Sequence, residues 1–493
     1  MRGGEYSQKS VSYPALENDA VCDCLVVGGG LCGVLTSYLL SEAGLSVILV
    51  EAEEIMRGRS GRSTAKATVA QPYLYSNLYG HSSPRKARAV SAAMRDGMDL
   101  LYSLVGEYGC GERTDMYYYT KYGSTRLRRE CRTMLECGID CAFLESGQSD
   151  IPDEYSAAVR IFNQLGLDAT ALGERLCRAG RFRAYEHTVA ENIGPRGCTA
   201  NGYRVRSSQT VCATNYPPVR EAENPLRYAR KTSVVVRGKC SISDGKIAAD
   251  TGERMYYCAD CGYGIRFTRG HILVSGMAHR GAPEEGTVEK LTEIMHKVCP
   301  DAVYDAHWTS NDTYTTDSLP CVGKTRSGVY FAGGFCGWGM TSSAAAALML
   351  KENVCGRESW YDEAFSPQRS VFSGTVGEHI TSAVSAEMKN FAKAPDRTAD
   401  ELLPGEGGIV GESGRRVGAY RDERGELHTV EAKCPHLGCE LEWNSAEKTW
   451  DCPCHGSRFD CLGRLISGPA QTDLDSSLRT GRRSLPPSVE RSP

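Results

Sequence analysis

The order of apolar and polar positions divides the chain into stretches of different rhythm. Residues 23–27, DCLVV, form an apolar run of strand length. After a glycine turn, residues 31–43 carry apolar side chains at helical spacing until Gly44 stops them. SVILVE, residues 46–51, reads as a second buried strand, so the opening predicts a strand, helix, strand unit of about thirty residues. Helical segments such as 85–108 then alternate with strand-like ones such as 232–236 and 271–275, which predicts a mixed α/β region. From Val329, VYFAGGFCGWGMTSSAAAALML reads as strand, tight turn and buried helix, a second nucleotide-facing element.

Beyond residue 370 the rhythm changes twice. Val376, Ile380, Val384, Met388 and Phe391 recur on one helical face and predict a linker helix. Short strands and turns follow in GIVGES, VGAYRDERGELHTV and LEWNSAEKTWDC, which predict a small all-β module of about seventy residues. The closing SSLRTGRRSLPPSVERSP, rich in Ser, Arg and Pro, predicts a disordered tail.

A chain of 493 residues exceeds one hydrophobic core and leads to an expectation of about two to four domains. A net charge of −4 excludes a broad nucleic-acid surface and favours small-molecule chemistry. No run is long and apolar enough to span a bilayer, and the first twenty residues lack the apolar core of a secretory signal; a soluble cytoplasmic protein without a transmembrane segment is expected. The 22 cysteines therefore read mostly as reduced structural thiols, with Cys22 and Cys24 packed along the first strand.

One cysteine cluster stands apart. CPHLGC, residues 434–439, and CPCHGS, residues 452–457, each offer one thiolate and one imidazole: Cys434 with His436, and Cys452 with His455. A structural zinc site accepts two of each, but the usual finger keeps both cysteines in one loop and both histidines in the other. The interleaving seen here matches a Rieske [2Fe-2S] cluster, with cysteines on one iron and histidines on the other. The two stretches resemble the ligand boxes of Rieske proteins. That resemblance implies a disulfide between Cys439 and Cys454, free core thiols being the other reading of that pair. It also implies a Ser457 hydroxyl donating to a bridging sulfide, and a covering loop at Gly468 and Pro469. Where high-potential members carry a tyrosine, this chain has Phe459, which implies a potential below the top of the range of roughly −150 to +300 mV.

Near the start, Gly28, Gly30 and Gly33 follow a strand and precede a helix, the arrangement that lets backbone amides approach a pyrophosphate, and Glu51 stands where a ribose-binding carboxylate belongs. EEIMRGRSGRSTAKATVAQ then supplies Arg57, Gly58, Thr64 and Lys66 where FAD-dependent oxidoreductases of the D-amino-acid oxidase and glycine oxidase type wrap their flavin. The resemblance continues at AYEHTV, whose Val189 backbone would meet the adenine. It extends to AGGFCGWGMT, which contributes Gly333, Gly334, Gly337, Gly339, Met340 and Thr341 to a flavin loop. From about residue 12 to 474 the chain resembles bacterial FAD-dependent oxidoreductases with a C-terminal Rieske domain, despite the crowding of Cys22, Cys24 and Cys32 and Pro435 in place of the commoner threonine.

The implied fold class is α/β: a Rossmann-like FAD-binding domain with a mixed α+β substrate domain, then a small all-β Rieske domain. The expected division places the flavoprotein at 20–370, with FAD-binding parts at 20–83, 155–215 and 315–360 and substrate parts at 84–154 and 216–314. A linker at 371–404, the Rieske domain at 405–474 and the tail at 475–493 complete it. The implied activity is oxidation of a small amine or amino-acid-like donor by hydride transfer to FAD, with electrons leaving singly through the cluster to an unidentified acceptor, proteins included. An electron carrier between protein partners is the alternative. His81, His279 and His307 are lone histidines and no catalytic residue is assigned. No cysteine lies between His307 and Pro320 to link a flavin covalently. Cys258 and Cys261 read as strand and turn residues, Arg126 to Arg129 as a solvated helix face, and Trp308 and Tyr314 fall in a segment resembling the family's substrate-side strand.

Overall fold

The computed structural model describes residues 11–217, 227–240, 253–268, 270–370, 398–412, 415–436, 438–454, 456–468, 470 and 472–476. The positions 376–391 of the expected linker helix, the expected ligand His455, Pro469 of the expected covering loop and residues 477–493 lie outside them. The chain divides into two compact units, 1–382 and 383–493.

The first unit contains two sheets. The eight-stranded sheet is built around Ala20–Val27, which runs parallel to Val47–Val50 on one side and to Tyr203–Asn215 on the other, with Val27 opposite both Val50 and Cys212. Parallel strands are covered on both faces, which explains why VILV is apolar at every position and buried throughout. Tyr330–Gly333 continues the sheet in parallel with Tyr203–Asn215. The helix Leu31–Glu42 returns between the first two strands and packs on the alanine-rich helix Gly339–Val354. Ala344 to Ala347 are all buried, and a side chain at Gly97 of the helix Pro84–Tyr108 would stand 2.7 Å from the Ala345 amide, so small residues set this close crossing.

The nine-stranded sheet is mostly antiparallel. Its longest pair, Tyr228–Lys239 with Val303–Thr315, lies at one edge; Arg254–Cys258 is parallel to Gly111–Thr120. Lys66–Ala67 and Ala157–Leu167 belong to this sheet. Residues 66–67 and 157–167, within the expected FAD-binding parts 20–83 and 155–215, thus pair in this sheet and not with the strands of the parallel one. The helix Thr287–Val298 covers one face through Leu291, Met295 and Val298.

Asp153 ties this layer together. Its carboxylate is enclosed and accepts from Tyr119 Oη at 2.9 Å and from the Tyr263 hydroxyl, with Lys121 Nζ at 2.9 Å and Lys297 Nζ at 3.3 Å. Burial alone would raise its pKa; the Tyr263, Lys121 and Tyr119 hydrogen bonds outweigh that and hold it at about 2.

Among its described residues the second unit is β apart from one turn of 3-10 helix, Ala399–Glu401. Gly407–Glu412, Arg415–Arg421 and Leu427–Glu431 form an antiparallel three-stranded sheet; Glu442–Asn444, Thr449–Asp451, Arg458–Asp460 and Leu465–Ser467 form a four-stranded one. Trp450 and Phe459, paired across neighbouring strands and fully buried, centre its core.

Because the Asp153 pKa falls from its ordinary 3.8 to about 2 on folding, its stabilisation is complete above about pH 5 and is lost as pH falls through 3.8 towards 2. Asp153→Asn is expected to cost roughly 2 kcal/mol at neutral pH in urea unfolding. The gap between variant and wild type should close as the titration is repeated towards pH 2; a gap constant with pH overturns this assignment.

Candidate functional site

The first glycine turn is shaped by close approach. A side-chain carbon on Gly33 would overlap the Gly28 carbonyl oxygen, and one on Gly28, at φ +108°, would stand 2.8 Å from the Ala213 carbonyl. Gly30 is the N-cap of the helix Leu31–Glu42 and offers no side-chain cap, and no acidic residue occupies the first helical turn. The Leu31 amide is taken by Ser60 Oγ at 2.8 Å, and with no acidic side chain in that turn the helix start keeps the positive potential that suits phosphate.

Glu51, at the end of Val47–Val50, accepts from the Gly29 amide at 2.6 Å and the Glu53 amide at 3.0 Å. Burial raises its carboxyl, and the Glu53 and Gly29 amides pull partly against that. Four residues after Tyr185, the Val189 amide donates to Asn201 Oδ1 at 3.0 Å and its carbonyl accepts from the Asn201 amide at 3.2 Å. Neither Val189 group is directed at the fingerprint loop through these bonds, and its side chain is exposed.

The segment that follows Glu51 is stapled to the nine-stranded sheet. Arg59 Nε donates to the Asn311 carbonyl at 2.5 Å, Trp308 Nε1 to the Arg62 carbonyl at 2.8 Å, and Arg266 Nη1 to the Thr64 carbonyl at 2.5 Å. Arg57 lies 3.9 Å from Glu54, and Gly58 has open space around it. Lys66 projects towards Gly264, where any side chain would collide with its amine, beside the Tyr257 ring. Burial, with Arg266 adding to it, pushes the Lys66 ammonium down to about 7.

The second glycine loop follows Tyr330–Gly333. Gly333 packs against the Asn215 backbone, Gly334 against Thr315, and Gly337 against the Tyr314 hydroxyl. Gly339 and Met340 open the long alanine-rich helix. Thr341 is 2 % exposed, and its hydroxyl oxygen has no hydrogen-bond partner among the described residues. Asn215 and Asp312 fix this loop, two residues that no local pattern announces. Asn215 Oδ1 accepts from Gly334 at 3.0 Å, and its Nδ2 donates to Asp312 Oδ1 at 3.0 Å. Asp312 also accepts from the Thr313 and Gly337 amides. An aromatic wall stands beside the loop, with Trp338 edge-on to Tyr257 at 5.4 Å and to Tyr118 at 5.9 Å. A close-packed turn at Gly28 and Gly33, a helix start with no acidic residue in its first turn and a buried hydroxyl at Thr341 fit a dinucleotide cofactor.

In the second unit the two cysteine boxes adopt the same turn. The Cys434 amide donates to the Cys439 carbonyl at 2.8 Å, while the Gly438 amide returns to the Cys434 carbonyl at 2.9 Å. The Cys452 amide donates to the Ser457 carbonyl at 2.8 Å, while the Gly456 amide returns to the Cys452 carbonyl at 2.9 Å. Both glycines take positive φ, +78° and +73°, which side chains resist. Cys434 and Cys452 are each 1 % exposed. Cys439 and Cys454 are joined by a disulfide, with Cα atoms 6.5 Å apart. The Cys439, Cys452 and Cys454 sulfurs lie within 4.8 Å of one another. Ser457 is fully buried, and its Oγ accepts from the Ala470 amide at 2.9 Å, which leaves the hydroxyl proton to donate elsewhere. Two buried thiols on matched turns, with His436 beside one of them, are a donor set that suits iron and sulfide.

Of the lone histidines, His307 shares a short hydrogen bond with Tyr304 of its own strand, and the His279 ring is 3.8 Å from Glu284.

Comparison with known proteins agrees with both halves. Residues 23–353 match the family model described as FAD dependent oxidoreductase, and 394–478 match the Rieske [2Fe-2S] domain. A Bacillus subtilis protein named as a Rieske 2Fe-2S iron-sulfur protein, YhfW, is 31% identical across 94% of this chain and 96% of its own length. The γ-glutamylputrescine oxidoreductase of Escherichia coli is 23% identical over 72% of this chain and 89% of its own. The crystal structure of glycine oxidase from Geobacillus kaustophilus superimposes with a TM-score of 0.61 over 72% of this chain and all of that one, at 19% identity.

Three substitutions probe the two cofactor sites. Gly33→Ala is expected to cut flavin retention at least about tenfold, since its methyl meets the Gly28 carbonyl, whereas Gly106→Ala, inside the helix Pro84–Tyr108, meets no protein atom and should retain the flavin; flavin absorbance per polypeptide after gel filtration reads this. Phe459→Tyr is expected to raise the cluster potential by about 60 mV, one charge-assisted hydrogen bond of ~1.4 kcal/mol at one electron. Potentiometric titration followed by electron paramagnetic resonance checks it, and an unchanged or lower potential counts against the bond.

Proposed function

Because the chain belongs to the FAD dependent oxidoreductase family and carries a Rieske [2Fe-2S] domain, we propose that it oxidises a small amine or amino-acid-like substrate and delivers the electrons singly to a separate acceptor. The enzyme is an oxidoreductase of the amino-acid oxidase type, acting on C–N donors. The observation that carries the fuller reading is the presence, on one chain, of a glycine cradle for a two-electron cofactor and matched cysteine turns for a one-electron cluster. When bound, FAD supplies a two-electron acceptor and the cluster a one-electron carrier, which together convert paired electrons to single ones.

In this proposal Gly28, Gly30 and Gly33 admit the pyrophosphate, Glu51 holds the ribose, and the loop 333–341 with Arg57, Gly58, Thr64 and Lys66 surrounds the remainder of the flavin. Cys434, His436, Cys452 and His455 hold the iron, and Ser457 donates to a sulfide. Tyr118, Tyr257 and Trp338 form an apolar wall that excludes water beside the flavin loop. Lys66 stands against this wall. An amine substrate must lose its ammonium proton before its C–H bond can give up a hydride, and a lysine held near 7 can take that proton.

Twenty of the 22 cysteines take part in no disulfide, which suits the reducing cytoplasm proposed as its location. Among the described residues no helix is long and apolar enough to cross a membrane.

Anaerobic mixing with a panel of small primary and secondary amines and amino acids tests the reading. At least one is expected to bleach the flavin, at a rate that rises with pH through about 7 as Lys66 loses its proton. Lys66→Met should keep the flavin spectrum and lose that rise. If no member bleaches the flavin while a protein reductant does, the amine oxidation fails.

A further inference from the structure

Three cysteine pairs outside the cluster site bring their side chains together: Cys131 with Cys141, Cys258 with Cys261, and Cys240 with Cys299. Their surroundings differ. Cys131 and Cys141 have sulfurs 3.7 Å apart but are only 4 % and 6 % exposed, sealed between the helix Thr125–Glu136 and the strand Cys141–Glu145. Cys258 is fully buried and only Cys261 reaches solvent. Cys240 and Cys299 combine closeness and access, with sulfurs 3.5 Å apart and both residues partly exposed.

From this juxtaposition we infer that Cys240 and Cys299 are a redox modification site, a dithiol that small-molecule disulfides of the glutathione class close to an intramolecular disulfide. Thiol–disulfide exchange needs a thiolate that can be reached in line and a second thiol near enough to resolve the mixed disulfide. One cysteine of the pair attacks a sulfur of the oxidant, whose S–S bond breaks and releases one thiolate. The other cysteine loses its proton and displaces the remaining thiolate. The Cys240–Cys299 bond forms, two electrons pass from the protein to the oxidant, and the two protons end on the released thiols.

Burial and the hydrogen bond with Cys299 push the Cys240 thiol up to about 12, so Cys240 holds its proton longer and serves as the resolving member. The packing around the pair tolerates closure without a change of partners. Cys240 follows the strand Tyr228–Lys239 directly, and Cys299 caps the helix Thr287–Val298, whose Leu291, Met295 and Val298 share a core with Val234 and Val236 of that strand. A side chain at Gly238 would stand 2.6 Å from Met295 sulfur, so the helix end already lies against the strand end. The bond joins two elements that are in contact and locks the helix onto the substrate-side sheet.

The test uses the full-length protein loaded with FAD and cluster. It is incubated with oxidised glutathione at about pH 8, where an ordinary thiol is partly ionised, quenched with N-ethylmaleimide, and digested without reduction for mass spectrometry. The expected result is a linked 240–299 peptide pair, two hydrogens lighter than the reduced peptides, accumulating at least about tenfold faster than a 131–141 link, because access governs exchange. In Cys240→Ser the glutathione should remain on Cys299, since nothing resolves it. The inference is overturned if the 131–141 link forms as fast, if Cys240 and Cys299 both stay as maleimide adducts while exposed Cys261 takes up glutathione, or if Cys240→Ser carries no glutathione at Cys299.

Discussion

The structure of the flavoprotein unit depends on one buried polar link, between the Asn215 amide and the Asp312 carboxylate. Asn215 ends the long strand Tyr203–Asn215 of the parallel sheet, and Asp312 lies on Val303–Thr315 of the antiparallel one. Their 3.0 Å bond is therefore a direct tie between the two sheets. The same two side chains hold the loop 333–339 from both ends, Asn215 at Gly334 and Asp312 at Gly337. Burial raises the Asp312 carboxyl, and the donors around it, Asn215 first, offset that cost. A loop fixed in this way presents backbone groups in one conformation, which a cofactor-binding surface needs before its ligand arrives.

What was legible in the sequence follows from how local each feature is. The first strand, its helix and the second strand are contiguous, and the spacing of Gly28, Gly30, Gly33 and Glu51 has a mechanical reason within thirty residues. The cysteine boxes are likewise short, and their turns are set by Gly438 and Gly456 within each box. Asn215 and Asp312 meet across 97 positions, and Arg59 and Asn311 across 252, so no periodicity connects them. The sheet membership of residues 157–167 was equally hidden. Their apolar run suits a strand in either sheet, and only pairing with Gly111–Thr120 and Cys141–Glu145 decides between them. The lone histidines fit the same lesson in reverse, since His307 meets a nearby tyrosine on its own strand.

The matched turns of the second unit show how a small β module places ligands with little core to spend on it. Each box starts at a buried cysteine, bends at a proline and closes through a glycine with positive φ, so both cysteines leave the backbone in the same local geometry. The second box is also braced from below. Asp451, one residue before Cys452, is 2 % exposed and accepts from Arg458 Nε at 3.0 Å, Thr449 Oγ1 at 2.8 Å and Asn444 Nδ2 at 2.9 Å. Arg458 also reaches Glu447. A fully partnered buried network of this kind rigidifies the strand on which it sits.

The bracing is unequal between the boxes, and that has a consequence for how the module holds iron. The first box leans on the Arg416 to Glu440 ion pair, where Arg416 Nε meets Glu440 Oε1 at 2.7 Å, a partly exposed contact that solvent weakens. The second box has the enclosed Asp451 network and the buried Ser457. The disulfide between Cys439 and Cys454 joins the less braced loop to the more braced one. Positioning of the proposed donors Cys434 and His436 thus draws on a covalent link to a loop whose own geometry is fixed by hydrogen bonds, so rigidity that originates in Asp451 and Arg458 reaches the first box through the sulfur bridge.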